Sequence, residues 1–122
     1  MPVRSYRDLV VWQKSMDLVV AVYEVTAAMP KEELYGLTNQ MRRAAVSIPS
    51  NVAEGQGRKN DRELLRFLGI SQGSLCELET QLTLAERLSF LKSQKLTPVF
   101  QRATEVAKLA AAFSAKLKSE IE

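Results

Sequence analysis

Arg42, Arg43, Arg58, Lys59 and Arg62 fall within a stretch, Gly36 to Arg62, whose only acidic residues are Glu54 and Asp61. Guanidinium and ammonium groups at that density neutralise phosphates, so the chemistry on offer is contact with a nucleic-acid backbone. The plainer alternative is a solvated face in which Glu54 and Arg58 form an i, i+4 pair. No aromatic residue interleaves with the arginines in sequence, so base stacking is not expected.

Other chemistries lack their residues. The chain has no histidine and one cysteine, which puts disulfide frameworks, histidine-dependent catalysis and ordinary zinc sites out of reach within one chain. Glu77 and Glu79 are two apart and point in different directions on a helix, and Ser47 and Ser50 have no base partner. No catalytic residue, metal or cofactor is therefore expected. Cys76 is expected to pack as a small apolar residue, and Trp12 and Tyr23 as core or interface residues.

The elements that must carry these side chains are helical. Hydrophobic residues make up 46% of 122 residues, with five glycines and four prolines and a net charge of +3. One domain, residues 1–122, with a real core is expected. The start of the chain lacks a signal-peptide pattern and no long uncharged apolar run follows, so a reducing cytoplasm and no membrane are expected. No segment alternates apolar and polar residues as a half-buried strand would.

Helical spacing predicts four helices, at about 9–29, 37–56, 61–89 and 97–121. The fold class is all-α, an antiparallel up-down four-helix bundle. In the first helix Leu9, Trp12, Met16, Val19 and Tyr23 form one apolar series, and Val11, Leu18, Val22, Val25 and Met29 a second. In the second helix Leu37, Met41, Ala44, Ile48 and Gly55 form one face, and Arg42, Val46, Pro49 and Ala53 another, leaving a narrow polar strip of Arg43, Ser47, Ser50 and Glu54. One bundle seam does not need so much apolar circumference. The second faces are read as subunit contacts, with Val11, Leu18, Val22, Val46, Pro49 and Ala53 nominated for an oligomer interface.

Pro49 predicts a proline kink rather than an end to the second helix, because apolar periodicity continues through Val52 and Ala53; Ser47 and Ser50 are candidates to satisfy the carbonyl it frees. In the third helix Leu64, Leu68, Ser71, Leu75, Leu78, Leu82 and Ala85 keep an unbroken seam, and the small residues from Gly69 to Cys76 predict a tight helix crossing. Asn60 with Glu63 reads as a capping pair, Ser5 with Asp8 as a weak start signal, and Glu32 and Glu33 as acids beside a positive helix end. Thr97 followed by Pro98 reads as the start of the fourth helix, and Tyr35 as an anchor for its loop.

Three blocks, DLVVWQKSMDL, YGLTNQMRRAAVSIPSNVAEGQGR and FLGISQGSLCELETQLTLA, resemble the signatures of one family. It is the four-helix-bundle family encoded in intervening sequences of bacterial large-subunit (23S) ribosomal RNA genes. The match includes Trp12, Tyr35, Gly36, Arg42, Arg43, Pro49, Asn51, Glu54, Gly55, Gly73 and Ser74. The resemblance implies an antiparallel bundle assembled into a ring-like homopentamer. The family is similar to the accessory protein of diversity-generating retroelements, a basic pentamer that binds nucleic acid and a reverse transcriptase. The expected function is therefore a non-catalytic oligomer binding RNA, or DNA, through a basic surface. The alternative is a scaffold whose ring presents itself to a partner protein without touching nucleic acid.

Overall fold

Four helices dominate the computed structural model, which describes residues 5–121: α1 (Val10–Thr26), α2 (Leu37–Gly57), α3 (Asp61–Arg87) and α4 (Ser93–Ile121). The first four residues of the expected lead-in, and Glu122, lie outside the described residues. Among the described residues there is no strand, and no helix is long and apolar enough to cross a membrane. Short connections turn each helix back along its predecessor. Each packs closely against two neighbours, α1 on α2 and α4, and α3 on α2 and α4, so that α1 and α3 are diagonal.

Local chemistry sets the helix ends. The Ser5 and Asp8 side chains close a reciprocal capping box, but around a short 3-10 turn, Tyr6–Asp8, that precedes α1. Past α1, a second 3-10 turn at Lys31–Glu33 brings Glu33 Oε1 within 3.2 Å of the Leu37 N–H, which donates to it at the start of α2. Asn60 Oδ1 caps α3 by accepting the Glu63 N–H at 3.0 Å; the Glu63 carboxylate turns to Arg66 instead of completing the pair. The helix α2 runs through Pro49 without ending, and α3 runs through Gly69 and Gly73.

The fourth helix starts earlier than expected, at Ser93, leaving Pro98 inside it. Leu96 is fully buried, a gain of about 1.5–3 kcal/mol, which is the size of the penalty for a proline in a helix interior. The carbonyl that Pro98 leaves without a donor belongs to exposed Gln94, where solvent is at hand. Thr97 is not a cap; its hydroxyl donates back to the Ser93 carbonyl at 3.0 Å.

The core also claims the face of α1 that was nominated for an interface. Val11, Leu18 and Val22 are buried within the chain's own core, as is Pro49, so these four nominated interface residues are not available to a second copy. Only Val46, 40% exposed, and half-buried Ala53 remain of the six. The physical reason lies in Ser15 and Thr26, which interrupt the Val11 to Met29 face with hydroxyls. Both are buried because they donate to their own helix, Ser15 to the Val11 carbonyl at 2.6 Å and Thr26 to the Val22 carbonyl at 2.7 Å. The other series is divided: Leu9 is buried and Trp12 and Val19 pack against the core, while Met16 and Tyr23 are exposed beside Val20.

The close helix crossing is real, but it is made by Gly55. A methyl group there would meet Phe67 Cβ at 2.7 Å and the Leu64 Cα at 3.3 Å. By contrast, no atom of the described residues, apart from the helix's own adjoining backbone, lies within 4 Å of where a Cβ would stand at Gly69 or Gly73, and Cys76 is exposed. Polar bonds tie the same pair of helices. Ser71 Oγ donates to the Ile48 carbonyl at 2.8 Å, and the Ser47 and Ser74 hydroxyls pair at 2.8 Å. Ser47 thus bonds across to α3 rather than to the carbonyl freed by Pro49; its own carbonyl accepts from the Asn51 amide at 2.8 Å.

Candidate nucleic-acid interface

Beside the turn into α2, an open cleft of ≈ 560 Å³ runs between α1 and α2. It is lined by Tyr23, Leu34, Tyr35, Asn39, Arg42, Arg43, Val46 and Ser47, with no carboxylate among them. Asn39, Arg43 and Val46 are spaced i, i+4, i+7 and therefore share one stripe of α2. Arg42 Nε donates to Thr26 Oγ1 at 2.9 Å, and its guanidinium lies 4.7 Å from the centroid of the Tyr23 ring. Thr26 can accept because its own proton is committed to the Val22 carbonyl. Arg42 is thereby held in place, while Arg43 is exposed and has no ion-pair partner among the described residues. Tyr35 is not an anchor for its loop: it is 91% exposed.

A second group of cations gathers at the opposite end of the bundle, about 24 Å further along α2. Arg58 is spoken for: it pairs with Glu54 at 3.1 Å and lies 5.3 Å from the Phe67 ring centroid. Arg66 hydrogen-bonds Glu63 at 3.0 Å, and that bond holds the Glu63 carboxyl below its usual range while raising the guanidinium. Lys59 and Arg62 remain exposed, Lys59 with a left-handed backbone (φ 55°). From α4, Lys118 joins Arg62 and Arg66 around a shallow depression with Leu65 and Ile121.

A model of the 23S rRNA-intervening sequence protein family matches residues 7–112. The chain belongs to that family. Among solved structures, it is similar to a protein of unknown function from the S23 ribosomal protein family of Bacteroides thetaiotaomicron, at 21% identity, with a TM-score of 0.77 over 86% of this chain and 98% of the other. At that identity the likeness speaks for the fold. No curated protein matches the chain.

In this family member the five nominated cations divide into two sites: Arg42 and Arg43 at the cleft, and Arg58, Lys59 and Arg62 at the far end. The structure also adds residues that sequence reasoning missed. Tyr23 and Tyr35 bring aromatic rings beside the arginines, a juxtaposition that the order of residues along the chain does not show. Tyr23 lies far from Arg42 in sequence, and only the packing of α1 on α2 reveals the pair. Tyr35 is close enough to have been noticed, and its neighbour Gly36 marks the turn that lifts it out of the helix.

Proposed function

We propose that the protein is a non-catalytic, self-assembling cytoplasmic module that binds nucleic acid, RNA in preference to DNA. The observation that carries this reading is the cleft itself, where Arg42 and Arg43 stand beside Tyr35 and no carboxylate competes for them. Phosphates are held by such cations, and exposed rings suit bases.

Assembly rests on apolar side chains left outside the bundle. Met16 and Val20 are exposed on α1, and Ile70 and Leu84 on α3, the helix diagonal to it. Two different patches on opposite sides suit a head-to-tail contact, and head-to-tail contacts make a ring when the rotation between copies closes. The number five comes from the family resemblance. In this reading Pro49 bends α2, since the Ala45 carbonyl has no N–H to accept from.

Light scattering followed by filter binding at two salt concentrations tests the proposal. The expected result is an oligomer whose RNA affinity falls steeply with salt. The alternative, a ring that docks a partner protein, is favoured by exposed Leu34 and Leu88, and predicts retention that salt barely changes.

A further inference from the structure

We infer that the cleft between α1 and α2 takes an unpaired nucleotide, with its base laid on the ring of Tyr35 and its phosphate on Arg43, so that the protein selects single-stranded over duplex RNA. This rests on the nucleic-acid reading above and goes further in naming the form of RNA.

The rings of the cleft are not equivalent. Tyr23 is already occupied on one face by Arg42, at 4.7 Å. Tyr35 has no ring or cation partner among the described residues and is 91% exposed. A large flat side chain held on a short turn, Lys31–Glu33 behind it and Gly36 ahead, is an aromatic platform that the fold itself does not use. The arginines are unequal in the same way. Arg42 spends its Nε on Thr26, which fixes the guanidinium and leaves its terminal nitrogens without an acceptor among the described residues. Arg43 is a free cation one residue on, with Asn39 one turn before it on the same stripe offering an amide donor and acceptor.

Platform, cations and amide together match one nucleotide. A base inside a duplex stacks on its neighbours and shows neither face, and the deep major groove of an A-form helix keeps side chains from its edges. Only a single strand, a loop or an end can lay a base on Tyr35 while its backbone meets Arg43. The far-end cluster around Lys59, Arg62 and Lys118 has no such open ring and fits backbone charge alone.

The test uses the full-length protein and two fluorescein-labelled probes of equal length and charge: an unstructured single-stranded RNA and a fully paired RNA hairpin. The single strand is expected to bind at least about tenfold more tightly. Tyr35→Ala is expected to lose about 5- to 100-fold of that affinity, with Tyr35→Phe staying within about threefold of wild type. A single strand carrying 2-aminopurine gives a readout in the unmutated protein, because stacking quenches its fluorescence. Equal affinity for strand and hairpin, unchanged binding by Tyr35→Ala, or an unquenched 2-aminopurine would each overturn the inference while leaving backbone binding intact. Retention of neither probe would remove the nucleic-acid reading and this inference with it.

Discussion

The guanidinium of Arg42 lies 4.7 Å from the ring centroid of Tyr23, while Arg43, its neighbour in sequence, points into solvent without an ion-pair partner among the described residues. Two adjacent arginines therefore do different work. Replacing Arg42 by Ala removes the ring contact and the hydrogen bond to Thr26, a loss of about 1–2 kcal/mol of stability. Arg43→Ala changes stability by less than about 0.5 kcal/mol. It is expected to weaken RNA binding and to lower the salt slope by about one. Denaturant unfolding and filter binding on the two variants separate the roles.

Gly55 and Gly73 make an opposed pair on the two helices that pack most intimately. At Gly55 an added methyl group would stand 2.7 Å from Phe67 Cβ and 3.1 Å from Leu64 Cδ1, positions fixed by the core. Gly55→Ala should lower stability by about 1–3 kcal/mol, even after the better helix propensity of alanine is counted. Gly73→Ala meets nothing within 4 Å and should raise stability by about 0.5–1 kcal/mol when the protein is dilute. Urea midpoints at constant m-value read both changes.

These two glycines also show what the residue order reveals and what it hides. The seam of α3 was legible because Leu64, Leu68, Ser71, Leu75, Leu78, Leu82 and Ala85 repeat in phase, and every one of them is buried. Periodicity says that a face is apolar and not what it faces. It therefore placed the tight crossing at Gly69 to Cys76, when the backbone approach belongs to Gly55 on the partner helix. The same blindness assigned Val11, Leu18 and Val22 of α1 to an interface, because the hydroxyls of Ser15 and Thr26 satisfy themselves within the helix and pass as core. At the cleft, the cations were legible from charge density alone. Their sorting into a pinned Arg42, a free Arg43 and a paired Arg58 depends on Thr26, Tyr23 and Glu54, and only the packing and side-chain geometry decide which of these engage.

Ser89 ends α3 in a conformation that serine tolerates poorly. Its φ is 62°, the Phe90 N–H donates to the Ala85 carbonyl at 2.9 Å, and its own N–H donates to the Glu86 carbonyl at 3.0 Å. That pair of bonds is a Schellman ending, whose left-handed position favours glycine. Ser89→Gly should stabilise the protein by about 0.5–1 kcal/mol, the steric relief exceeding the added entropy of the unfolded chain. A rise of a few degrees in Tm, with unchanged helicity, is the expected signature.

Assembly can be challenged at a side chain the bundle does not need. Val20 is 56% exposed on α1, so Val20→Glu changes the stability of an isolated copy by less than about 0.5 kcal/mol. If copies associate through this ridge, the same substitution sets a charge in an apolar contact where it has no designated partner, and truncating or charging such contacts costs about 2 kcal/mol or more at each interface. A closed ring multiplies that cost by the number of interfaces, because every one carries the substitution. The variant is therefore expected to shift from oligomer to single copies in light scattering while its circular dichroism and dilute-solution melting stay as in the wild type. An oligomer that survives Val20→Glu and also Met16→Glu would show that α1 is not the face by which the copies meet.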